Sequence, residues 1–216
     1  MNPTLFERLA LSLPAPWIDG ADRELASFAN RMLGLAVDQF NDALVACIMF
    51  KPIPVDDVRR RAADVLDAWT KEDPVETRVR ILYARSYVES LDRLRAFVKV
   101  LSDQPGIPAE AKAACEIFLQ QYGRIRDIRN SLQHIEERAQ AKGPGGRKLA
   151  GPILDLGSLM NDRWFGITTG ENQHIRVEIS EQFLKDVRSA LLRIVWSFQW
   201  IHVGNTRVLP PEGADA

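Results

Sequence analysis

The sequence predicts a mainly α protein: a helical bundle around an antiparallel two-helix core, with a small β-hairpin inserted before the C-terminal helix. Three observations predict it. Apolar residues recur every three to four positions through several long segments, and proline or glycine separates those segments. One short stretch near residues 163–179 alternates apolar and polar residues instead, which is the period of a half-buried strand. The 216 residues are 46% hydrophobic and 26% charged, enough to bury one sizeable core and unlike a disordered chain. A single domain over residues 1–204 is expected, followed by a disordered tail at 205–216 that closes on Pro-Pro-Glu-Gly-Ala-Asp-Ala.

The elements follow in order. After a lead-in at Pro14 and Pro16, Asp22 begins a helix whose apolar stripe reads Leu25, Phe28, Met32, Leu35, Gln39, Ala43 and Cys47; Pro52 ends it. A shorter helix starts near Pro54 and carries Val58, Ala62, Val65, Leu66 and Trp69. Asp73-Pro74-Val75-Glu76 has the form of a helix start, with Asp capping and Pro in the first position. The long helix that follows, with Val79, Leu82, Tyr83, Tyr87, Leu91, Leu94, Val98 and Leu101 as its stripe, stops at Asp103-Gln104-Pro105-Gly106. Pro108 opens its antiparallel partner, whose core face runs through Ala111, Cys115, Phe118, Leu119, Tyr122 and Ile125. Strands at 163–168 and 174–179 flank a turn, and an isolated hairpin is marginal in water, so it must lie on the bundle. Ser180 caps the last helix, with Phe183, Leu184, Val187, Leu191, Ile194, Val195 and Phe198 turned inward.

Charge and cysteine content narrow the function classes. A net charge of -1 excludes a generally basic nucleic-acid coat, so any RNA contact must come from a local patch. Candidate patches are Arg59 to Arg61, Arg124 with Arg126, and Lys142, Arg147 and Lys148. The glycine-rich stretch at 142–148 lacks the order of a phosphate-cradling loop and is expected to be a connection. Cys47 and Cys115 lie within apolar helical patterns and are expected to be small buried hydrophobes. No His, Cys and Asp cluster has metal-ligand spacing, so no metal and no cofactor are expected. The N-terminal apolar stretch is short and interrupted by Glu7 and Arg8, and no apolar run is expected to span a bilayer. A cytoplasmic protein without membrane contact is the expectation.

Chemistry concentrates at residues 124–138. Ile125, Ile128, Leu132 and Ile135 define a core-facing stripe, and at about 100° per residue His134 falls roughly 140° from its centre. Arg126, Asp127 and Asn130 share that outward face, while Arg129 sits on the flank. An imidazole that titrates near neutral pH, a permanent guanidinium and an amide suit a phosphate ester on which charge builds while a proton moves. His174 begins a strand on its outward phase and is expected to face solvent; Trp164 and Phe165 are candidate base-stacking platforms.

At Arg129-Asn130-Ser131-Leu132-Gln133-His134 the chain resembles the HEPN superfamily of small helical domains, whose signature is Arg, a polar residue, a short spacer and His. The resemblance covers roughly residues 75–140. It implies a metal-independent endoribonuclease that leaves a 2',3'-cyclic phosphate, with Arg129, Asn130 and His134 as catalytic residues and Arg126, Lys142, Arg147 and Lys148 on RNA. It further implies a homodimer whose signature helices face one another, a toxin-antitoxin or phage-defence setting, and a cognate antitoxin as partner. Other members of the superfamily are non-catalytic dimerisation or binding modules, and Asp127, Glu136 and Glu137 beside the signature suit that alternative through ion pairs across a dimer.

Overall fold

The computed structural model describes residues 4–20, 22–51, 74–135, 140, 142, 157–160, 163–169 and 173–201. It is mainly helical. The described elements are α1 (Leu5–Leu9), β1 (Trp17–Ile18), α2 (Arg23–Phe50), α3 (Pro74–Asp103), α4 (Ala109–Gln121), α5 (Ile125–Gln133), β2 (Ser158–Met160), β3 (Trp164–Thr168), β4 (His174–Glu178), α6 (Glu181–Trp196) and β5 (Trp200–Ile201). The helix expected at 54–69, the Arg59 to Arg61 patch and the tail at 205–216 lie outside the described residues.

The chain divides into two compact units, each built from separate stretches. The first comprises Met1–Asp42, Ser90–Gly123 and Gln182–Ala216; the second comprises Ala43–Glu89 and Arg124–Glu181. Both long helices, α2 and α3, contribute to each.

In the first unit, Thr4 and Glu7 close a reciprocal capping box on α1. Arg188 of α6 donates to the Leu9 carbonyl at 3.1 Å, satisfying an orphan acceptor at the end of α1. Asn41 holds the lead-in from both sides, accepting from the Leu11 amide and donating to the Leu11 carbonyl, each at 2.9 Å. Asp22 accepts from the amides of Glu24 and Leu25 and so starts α2. Trp17–Ile18 and Trp200–Ile201 pair as a two-stranded antiparallel ribbon. Gly106, at φ 84, makes the left-handed turn after α3 that a side chain would strain.

Of the stripe expected for α2, Ala43 and Cys47 are buried, while Leu25, Phe28, Met32, Leu35 and Gln39 are half-buried or exposed. Ala29, Leu33, Val37, Phe40, Leu44 and Cys47 are buried, whereas Leu35 is 36% exposed. The helix is apolar over much of its circumference, so periodicity admits two stripes, and the one carrying Phe40 fills the core. By length and composition alone α2 could also cross a bilayer, a reach the sequence reading did not register, although half of its apolar window is buried in the fold, as in a core helix. On α3 the expected stripe holds at Tyr87, Leu91, Leu94, Val98 and Leu101, but Leu82 is 63% exposed.

In the second unit, β2, β3 and β4 form an antiparallel sheet in that order. The hairpin matches expectation, with Trp164 opposite Glu178 and Thr168 opposite His174. The third strand, β2, pairs Leu159 with Phe165. One face presents Phe165, Ile167, Ile175 and Val177, all buried.

Candidate functional site

The signature helix is shorter than expected. Instead of one helix from Pro108 through His134, α4 ends at Gln121 and α5 begins at Ile125. The break falls at Tyr122-Gly123-Arg124; a Cβ on Gly123 would sit 3.1 Å from the Leu119 carbonyl oxygen. The signature helix α5 packs against β3 and β4, and it also reaches the long helix α3, its expected partner, through Arg129 and Glu89. Ile125, Ile128 and Ser131 of α5 are buried, and the Ser131 hydroxyl donates back to the Asp127 carbonyl at 2.8 Å.

Arg129 occupies the flank, half-buried, as the helical spacing requires. Its guanidinium donates to Glu89 Oε2 on α3, at 3.4 Å from Nε, and to the Asn130 side-chain carbonyl, at 3.3 Å from Nη1. The structure therefore brings Arg129 and Asn130 into direct contact and adds Glu89, which sequence reasoning missed. Nothing local marks Glu89, because it lies forty residues before its partner.

His134 is exposed but does not continue the helix. It is the C-cap of α5, at φ -109 and ψ 35, and its amide donates to the Asn130 carbonyl at 3.2 Å. The helical spacing that placed it beside Asn130 thus ends at Gln133, and the turn sets the direction of the imidazole. Arg126 and Asp127 are exposed, in agreement with their outward assignment. Asn130 is half-buried. Lys142 is exposed and donates to Gln140 at 2.8 Å; Arg147, Lys148, Glu136 and Glu137 lie outside the described residues.

The sheet answers the remaining expectations. Phe165 is fully buried and belongs to the core, so it is no stacking platform. Trp164 is half-buried with the Arg176 guanidinium 4.9 Å from its ring centroid. His174 is exposed at the start of β4, with Nε2 2.9 Å from where a Cβ on Gly166 would lie. Burial pushes the Glu178 carboxyl up, but hydrogen bonds from Ser180 and Arg163 and the Arg163 charge together hold it below its ordinary value. Cys47 and Cys115 are buried free thiols, as expected. Among the described residues no group of three or more His, Cys, Asp or Glu is placed to hold a metal ion.

Chemically, the arrangement offers a guanidinium held at the edge of a helix and an exposed imidazole at the end of the same helix. No protein-family model, curated protein or solved structure matches the chain.

Proposed function

We propose that this chain is a cytoplasmic, metal-independent endoribonuclease of the HEPN type, working as a homodimer in a toxin or defence setting under the control of a cognate antitoxin. The observation that supports it best is the hold of Glu89 and Asn130 on Arg129, with His134 exposed at the end of the same helix. An oriented guanidinium can neutralise charge building on a phosphoryl group without reorganising during the reaction. In the proposed step the RNA 2'-hydroxyl oxygen attacks the adjacent phosphorus, the bond to the 5' oxygen breaks, and a 2',3'-cyclic phosphate and a 5'-hydroxyl result. One His134 takes the 2' proton and the partner protomer's His134 returns a proton to the leaving oxygen. Asn130 orients the guanidinium, and Arg126 and Lys142, with Arg147 and Lys148, contact the RNA backbone.

A second reading has its own supporting observation. The charge of Arg129 is matched by Glu89 within the free chain, which suits a non-catalytic dimerisation or binding module. Replacing His134 by Ala separates the two. The ribonuclease reading expects a loss of about 10²-fold or more in cleavage, with sedimentation unchanged. No cleavage by either protein, with a weakened dimer in the variant, supports the module instead.

A further inference from the structure

The pairing of Arg129 with Glu89 gives α3 a place in the site that its sequence does not announce. Glu89 shares a ridge of that helix with three exposed residues, Arg78, Leu82 and Arg85. At about 100° per residue these four positions fall within an arc of about 60°. At about 1.5 Å per residue they span about 16 Å along the axis. Leu82 is the most exposed large hydrophobic among the described residues, at 63%. Neither Arg78 nor Arg85 makes an ion pair with a described residue. The ridge therefore offers two solvent-facing guanidiniums on either side of an exposed apolar side chain, and it ends at the ion pair that holds Arg129.

We propose that this ridge is the track along which single-stranded RNA reaches Arg129, with Arg78 and Arg85 on backbone phosphates and Leu82 against a base. This rests on the ribonuclease reading above and names the surface that delivers its substrate. Charge complementarity carries the choice of partner. The chain as a whole is nearly neutral, so a polyanion must be recruited by a local basic surface. Guanidiniums bind phosphate in a fixed fork, which favours Arg over a diffuse lysine patch. At about 16 Å the ridge is long enough for a short run of nucleotides in an extended single strand. An exposed apolar side chain between two cations has an obvious partner in a nucleobase, which presents an apolar face beside its own phosphate.

The test measures binding of a fluorescein-labelled, uridine-rich 12-nucleotide RNA by anisotropy between 50 and 200 mM salt, with the His134→Ala protein as host so that the probe stays intact. Loss of two phosphate contacts removes about 1.4 from the salt slope. The host should therefore lose about sevenfold more affinity across that salt range than the same protein carrying Arg78→Gln and Arg85→Gln. Leu82→Ser should lower affinity and leave the slope unchanged. In the cleaving protein, the double Arg variant should raise KM for the 12-nucleotide RNA and leave cleavage of a dinucleotide unaltered. Circular dichroism of each variant checks that these surface changes keep the fold. If the wild type cleaves RNA and the double variant keeps its affinity and slope, the track is wrong and the ribonuclease reading stands. If the host binds no RNA and the wild type cuts none, both fall. Equal binding of polyglutamate and RNA would overturn the RNA track and give the ridge to an acidic protein partner.

Discussion

Arg129 shows how a residue's position and its role separate. Its ion pair with Glu89 is about a third exposed on both sides, at 30% and 35%, so its contribution to stability is at most about 1 kcal/mol. Its value in the proposed reaction is orientation. Replacing Glu89 by Gln should lower kcat for RNA cleavage about tenfold, by loosening the charge that meets the phosphoryl group, while KM stays within about twofold. Glu89→Asp should recover part of the loss, and thermal melting should move little. The flank position of Arg129 was legible from helical spacing alone. Glu89 was not, because a contact forty residues away leaves no local pattern. His134 was legible as exposed, but the turn that sets its direction was not. Gly157 carries a purely structural prediction. At φ 115, with Phe165 Cζ 3.3 Å from an added Cβ, Gly157→Ala should cost about 1–3 kcal/mol, read as a Tm lower by about 2–12 °C.

At the scale of elements, the helices and the hairpin could be read from period and punctuation, and their faces only partly. Pro52 after α2 and the Asp103 to Gly106 stop after α3 marked their ends correctly, because proline and left-handed glycine break helices by local sterics. The face of α2 was misassigned since apolar residues surround it, and only the packed core distinguishes Phe40 from Leu35. Phe40→Ala should destabilise the protein by about 3–5 kcal/mol, while Leu35→Ala should cost less than about 1 kcal/mol. Urea denaturation of the two variants measures that difference. The break at Gly123 was passed over because Tyr122 and Ile125 continue the apolar spacing across it, and both are in fact buried. The strands β1, β2 and β5, of two or three residues, are too short for alternation to register.

At the scale of the molecule, the division into two units was hidden because each is assembled from stretches far apart in the chain. A reading that moves along the sequence sees continuous helices at α2 and α3. Buried ionisable groups give the molecule a pH signature. Burial pushes the Cys47 thiol up to about 11, the Cys115 thiol up to about 12 and the Tyr122 hydroxyl up to about 12. Each folded value lies above that of the unfolded chain, so the folded state keeps its protons while the unfolded chain loses them. Stability from these groups is complete below about pH 9 and declines as pH rises toward 12. The urea midpoint should therefore fall above about pH 9, and both thiols should resist iodoacetamide at pH 8 until the chain is denatured. The most direct test of the proposed chemistry is end-group analysis of single-stranded RNA incubated in EDTA with wild-type or His134→Ala protein. Products ending in 2',3'-cyclic phosphate from the wild type alone are the expected result. Cleavage of equal extent by both proteins, or products ending in 3'-hydroxyl, would contradict His134-dependent transesterification.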